Sequence, residues 1–131
     1  MKRVGHKYRA VPTFVHGFRF ASRAEARRYQ ELLLLGMAGE IRNLELQPRF
    51  DLHVGGEKVA TYVADFRYHE LVSTAARDYA GGRMVDEVWR DVIEDVKGAL
   101  TPVYRMKKKH FEAEYRIAIR EVRMRCSGQR S

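Results

Sequence analysis

Asp91-Val92-Ile93-Glu94-Asp95-Val96-Lys97-Gly98 alternates apolar and charged residues and stops at glycine. That is the pattern of a strand, whose side chains point alternately to opposite faces. Asp95 and Lys97 then share one face, and Val92, Glu94 and Val96 share the other. On an exposed face such an acid and amine form an ion pair that contributes about 0 to 1 kcal/mol. Here the flanking sequence is apolar, so the pair calls for a reason. Either it neutralises itself, or it holds a divalent cation beside a lysine that acts on a phosphate.

The strand extends backwards to Met84, with Val85, Val88, Trp89, Val92, Ile93 and Val96 as its apolar members. Before it, residues 71–83 (LVSTAARDYAGGR) break the alternation and contain Gly81-Gly82, which predicts a long loop or a small insertion in a hairpin. Val59 to Glu70 (VATYVADFRYHE) reads as another strand, with Asp65 as a single acid inside an aromatic and β-branched run. Antiparallel pairing of the two strands would bring Asp65 beside Asp95, in a register that sequence does not fix. Gly55-Gly56-Glu57-Lys58 is a turn that joins this strand to residues 41–54 (IRNLELQPRFDLHV), a strand broken or bulged at Gln47-Pro48 because proline cannot donate to a ladder.

Further out, Ser22-Arg23-Ala24-Glu25 fits the capping box that starts a helix. Ala24, Tyr29, Leu32, Leu33, Leu35 and Met37 form its apolar stripe, and the helix covers about residues 23 to 37. Capping by itself accounts for Glu25. Phe14 to Phe20, with Gly17 at its centre, suggests a short hairpin, and residues 1–12 a flexible basic arm. After the central stretch, Thr101 and Pro102 open a second helix that carries Lys107, Lys108 and Lys109. Tyr115 to Met124 reads as a closing strand, and 125–131 as a disordered tail. The order is helix, three strands, helix, strand in a single domain over 13–124.

Composition narrows the class. The chain has 131 residues, 45% of them hydrophobic, a formal net charge of +8 and a pI near 9.9. Basic residues crowd both ends and acids sit between them, a balance that favours a polyanion such as nucleic acid as partner. One cysteine, Cys126, excludes an internal disulfide framework and a cysteine-based zinc site. No apolar run approaches a membrane span, and the basic start has no apolar stretch behind it, so the expectation is a cytoplasmic protein. His6, His16, His53, His69 and His110 lack metal-ligand spacing and read as surface or packing residues. Tyr8, Tyr62, Tyr68 and Trp89 could stack on bases, although core roles account for most of them.

The strings SRAEARRY (22–29), LQPRFDL (46–52), YVADFRY (62–68) and IEDVKG (93–98), in that order, resemble the PD-(D/E)XK nuclease superfamily. More narrowly, they resemble a phage-associated family long filed as a domain of unknown function, over roughly residues 7 to 122. The resemblance implies an α/β fold with a restriction-endonuclease-like core, a central mixed sheet flanked by helices. It implies Asp65 as the first acid, Asp95 as the second, Lys97 as the lysine and Glu25 as the helix glutamate; Gln47 matches a recurring glutamine. Ala64 stands where the superfamily name has proline, and a bulge would exchange Asp95 for Glu94. Asp65, Asp95 and Glu25 would hold magnesium or manganese, whose bound water attacks a phosphodiester. Lys7, Arg23, Arg27, Lys107, Lys108 and Lys109 would touch the backbone of a duplex or branched DNA. The implied protein is a phage- or prophage-encoded endonuclease working in a bacterial cytoplasm, and cutting both strands would favour a homodimer. The alternative is a binding module on the same fold without catalysis.

Overall fold

A computed structural model of the chain describes residues 11–98 and 100–124. Most of the expected basic arm, with Lys7 and Tyr8, and the expected tail at 125–131 lie outside the described residues. The first described elements are a short hairpin, β1 (Thr13–Val15) and β2 (Phe18–Phe20), as the glycine-centred run predicts. The helix α1 (Arg23–Met37) follows with the expected bounds, capped by the Ser22 hydroxyl, which accepts the Glu25 N–H at 3.2 Å. Its buried face is Ala26, Tyr29 and Leu32. Met37, expected in the apolar stripe, is the last residue of the helix and is 83% exposed.

Residues 41–54 form two strands, β3 (Ile41–Leu46) and β4 (Arg49–Val54), and residues 57–79 form β5 (Glu57–Val63) and β6 (Phe66–Tyr79). The break at Gln47-Pro48 is as predicted, and it has a counterpart at Ala64-Asp65. The Gln47 N–H donates to the Asp65 carbonyl at 2.9 Å, and the Ala64 N–H to the Pro48 carbonyl at 3.1 Å. The two breaks therefore face each other, and one long hairpin folds sharply at a shared corner. Gln47 has φ +52° there. At the hairpin's tip Gly55 and Gly56, with φ +58° and +85°, supply the two left-handed positions that a tight two-residue turn requires.

The segment 71–83 is not a loop. Residues 71–79 continue β6, and β7 (Gly82–Val96) returns antiparallel to it, with Tyr79 paired to Gly82 across the turn. The alternating signal fails in this segment because no layer packs on either face, so no apolar side is needed. The helix α2 (Pro102–Tyr115) is capped by Thr101, and the closing strand β8 (Ile119–Val122) is shorter than 115–124 because α2 runs on to Tyr115. A left-handed Arg116, φ +61°, ends the helix.

Sheet order is β3-β6-β7-β8, with β7 and β8 parallel and the other pairs antiparallel; β4 and β5 form their own ribbon. Two clusters pack on opposite faces of this sheet. On one, Phe20, Ala26, Tyr29 and Leu32 meet Ile41, Phe66, Tyr68 and Val92. On the other, Phe111 of α2 meets Phe50, Leu52, Tyr62, Ala64, Ile93 and Ile119. Val92 and Ile93, adjacent on β7, thus serve different cores. Among the described residues no helix is long and apolar enough to cross a membrane.

Candidate functional site

The alternation of β7 decides which acids go where. Glu94 follows Val92 onto the α1 face and is fully buried; Asp95 follows Ile93 onto the α2 face and is 4% exposed. The β6–β7 ladder shifts register only between Leu71 and Ser73, so no bulge exchanges the two acids. Phe66 pairs with Glu94, which sets Asp65, at the corner before β6, opposite Asp95. The Asp65 N–H donates to the Glu94 carbonyl at 3.1 Å, and Asp65 Oδ2 accepts the Val96 N–H at 2.7 Å. Asp65 therefore sits at the corner between β5 and β6 rather than within one continuous strand.

Glu94 is a structural anchor. Arg28 of α1 donates from Nε and Nη2 to its two oxygens at 2.7 and 3.0 Å, and the Tyr68 hydroxyl donates to it as well. Burial and the Glu94 bond push the Tyr68 hydroxyl up to about 12, and Glu94 raises Arg28 despite burial. Arg28 lies three residues after Glu25, on the same side of α1, so this clamp brings the helix N-terminus to the end of β7.

There the Glu25 carboxyl shares a hydrogen bond with that of Asp65. The capping box is only half made: Glu25 Oε2 accepts from the Ser22 hydroxyl at 3.3 Å, and the carboxylate is turned towards Asp65. Burial raises the Glu25 carboxyl well above its ordinary range, and Asp65 raises it further; the charge of Asp95 adds to this. Burial also raises Asp65, against the pull of the Val96 N–H, Glu25 and Lys97. Asp95 is pushed up to about 6 by burial, opposed by Lys97.

Lys97, 13% exposed, lies 3.6 Å from Asp95 Oδ1, so the two share a face as alternation requires. Its ammonium stands 3.4 Å over the Tyr104 ring centroid, a cation–π contact that fixes its direction. The Tyr104 hydroxyl in turn donates to Glu121 at 2.7 Å. The Tyr62 hydroxyl donates to Asp95 Oδ2. Tyr104, Glu121 and Arg28 have no role in the sequence reading, where Tyr62 stands only as a residue that could stack on bases or fill the core. Only Arg28 carried a signal, its spacing from Glu25.

The expected nucleic-acid contacts divide. Arg23 and Arg27 are exposed on the first turns of α1, next to Glu25, and Lys109 is exposed on α2. Lys107 instead donates to the Thr61 carbonyl at 2.9 Å, and Lys108 to Glu121 at 3.1 Å, with its charge also felt at Asp95. Gln47 has an exposed side chain and serves the corner through its backbone.

Among the described residues no three His, Cys, Asp or Glu side chains form a ready set of metal ligands. The chemistry of the donors still fits a hard cation. Glu25 and Asp65 are oxygen donors close enough for Asp65 to raise the Glu25 carboxyl, and Asp95 adds to the effect. Half-buried carboxylates held close in this way are stabilised by a proton or by a divalent cation of the magnesium kind.

Among the described residues, two helices lie on a mixed sheet, which makes this a mixed α/β protein. The chain belongs to the family described as "Protein of unknown function (DUF1064)", whose model matches residues 5–128. No curated protein and no solved structure matches the chain.

Proposed function

We propose that this protein is a divalent-metal-dependent endonuclease of the PD-(D/E)XK kind, with Asp65, Asp95 and Glu25 as acids and Lys97 as the cationic partner. One observation carries the reading: four residues from α1, the β5–β6 corner and β7 converge at one end of β7, while Glu94, the competing acid, is committed elsewhere. Magnesium or manganese would supply an acidified water and charge stabilisation at the phosphoryl group. Asp65, Asp95 and Glu25 are the residues that would hold the cation. Lys97, aimed by Asp95 and the Tyr104 ring, stabilises charge growing on the phosphoryl oxygens. Arg23 and Arg27 lie on the helix turns beside the acids, where a polyanionic backbone would approach. DNA is the proposed substrate, in keeping with the net charge of +8.

A second reading, a nucleic-acid- or protein-binding module without catalysis, is favoured by the internal bonds on the acids: Tyr62 holds Asp95 and the Val96 N–H holds Asp65. The deciding experiment incubates the protein, Asp65→Ala and Asp95→Ala with labelled duplex, single-stranded, flap and four-way-junction DNAs, in magnesium, manganese or chelator. Cleavage that disappears in chelator and in both folded variants is the expected result. Binding without cleavage in any metal, or full activity in both variants, rejects the nuclease.

A further inference from the structure

Beyond Leu71, whose N–H donates to the Glu40 carbonyl at 2.9 Å, β6 leaves the rest of the sheet. From Val72 to Tyr79 its outer edge carries no strand, and from Gly82 to Trp89 neither does the outer edge of β7, among the described residues. The result is a two-stranded arm with solvent on both faces. Val85 is 57% exposed, Tyr79 55% and Val88 53%. An isolated two-stranded ribbon is marginally stable in water, and an unpaired edge is a template for another strand.

We propose that a second copy of this chain covers this arm, the two β6 edges pairing antiparallel about a two-fold axis at Ala76. This surface does not depend on the reading of the Asp95 site. Charge argues for a protein partner: Arg77, Arg83 and Arg90 balance Asp78, Asp86 and Glu87, so residues 71–90 are neutral in a chain of +8. A polyanion would find no attraction there. The β6 edge has an uncharged, proline-free run from Leu71 to Ala76, and its charges, Arg77 and Asp78, are of opposite sign. It is self-complementary. Centred on Ala76, pairing sets Ala75 opposite Arg77 and Thr74 opposite Asp78 of the second copy, with no like charges facing.

The two arms then form a four-stranded sheet in the order β7-β6-β6-β7. On one face of each arm Ala75, Tyr79, Met84 and Val88 stand beside the Arg77–Asp86 ion pair, and four strands replace a two-stranded ribbon that is marginal by itself. Asp95 lies ten residues beyond Val85, the β7 partner of Ala76. At the rise of a strand that is roughly 33 Å from the axis, so the two Asp95 sites stand roughly 65 Å apart. A dimer of this kind puts the two sites on separate stretches of any long ligand.

The test is light scattering on the purified full chain over a concentration series. A mass twice the 15.3 kDa chain is expected, falling to one chain in Ala76→Lys and in a variant whose residues 72–88 are replaced by Asn-Gly. Both variants should keep the thermal transition of the core. In a Cys126→Ser background, Ala76→Cys should cross-link to a covalent dimer under mild oxidation. A wild-type monomer at all concentrations, a dimer that survives arm shortening, or no cross-link in Ala76→Cys overturns the proposal.

Discussion

Arg28 on α1 grips both oxygens of Glu94 on β7, at 2.7 and 3.0 Å, and so fastens the helix that carries Glu25 to the strand that carries Asp95. The Arg28 side chain is 16% exposed and that of Glu94 fully buried. Removing one partner strands a buried charge, at a cost of about 3–5 kcal/mol. Glu94→Ala and Arg28→Ala should each lose stability on that scale in urea unfolding. The double variant Arg28→Leu/Glu94→Leu should lose less than the sum of the two, because the stranded charge is gone. Additive losses would mean that the clamp is not a unit.

Glu70 offers a test in acid. Its bonds from Arg120, at 2.9 and 3.0 Å, and from Arg90 hold its carboxyl down at about 2, against an ordinary 4.5. A carboxyl lowered in the fold contributes stability that is complete above pH 4.5 and disappears as pH falls through 2. Glu70→Gln should therefore melt below the wild type at pH 7 and at nearly the same temperature at pH 2. The group is 27% exposed, so the difference at pH 7 is on the order of 1 kcal/mol. A gap that persists unchanged at pH 2 would show that Glu70 acts by packing.

Local chemistry made part of this molecule readable. Ser22 fixed the start of α1, Thr101-Pro102 that of α2, and Gly55-Gly56 the hairpin, because caps and tight turns depend on the residues that form them. Alternation placed Asp95 with Lys97 and apart from Glu94. What was not legible depends on partners distant in sequence. The β6–β7 arm has no buried face and so no pattern. The corner at Ala64-Asp65 exists because Gln47 and Pro48 break the opposite strand. Tyr62 and Tyr104 look like ordinary core aromatics until the fold sets their hydroxyls on Asp95 and Glu121. Met37 closes the apolar period at the last position of its helix, so its apolar character overstated its burial.

Phe111 supports the site from behind. It is fully buried, with ring centroids 4.8 Å from Phe50 and Tyr115 and 5.3 Å from Tyr62. Phe111→Ala should cost about 3–5 kcal/mol in denaturant unfolding, and Phe111→Leu much less, since it keeps most of the volume. Tyr62 leans on this ring while it donates to Asp95, so the alanine variant should also widen the Tyr62 ring resonances in NMR. Unchanged Tyr62 spectra with the expected loss of stability would separate the α2 core from the acid cluster.

The acids themselves can be tested without any substrate. In chelator, Glu25 holds a proton against Asp65 in the fold that it would release at about 4.5 when unfolded. A carboxyl raised in this way binds more protons in the native state, so stability falls as pH climbs from about 4.5 through the native value. Glu25→Gln cannot ionise and keeps a donor for Asp65. It should flatten that slope and melt above the wild type in alkaline chelator. Magnesium reverses the order: a cation that binds only the folded state raises the melting temperature in proportion to the logarithm of its concentration, and the glutamine, a weaker ligand, should gain less. The decisive measurement is thermal unfolding of both proteins at pH 5, 7 and 9, in chelator and across a magnesium series. Equal pH slopes would remove the shared proton. A magnesium shift in neither protein would leave Glu25, Asp65 and Asp95 as a purely structural cluster and would count against the nuclease.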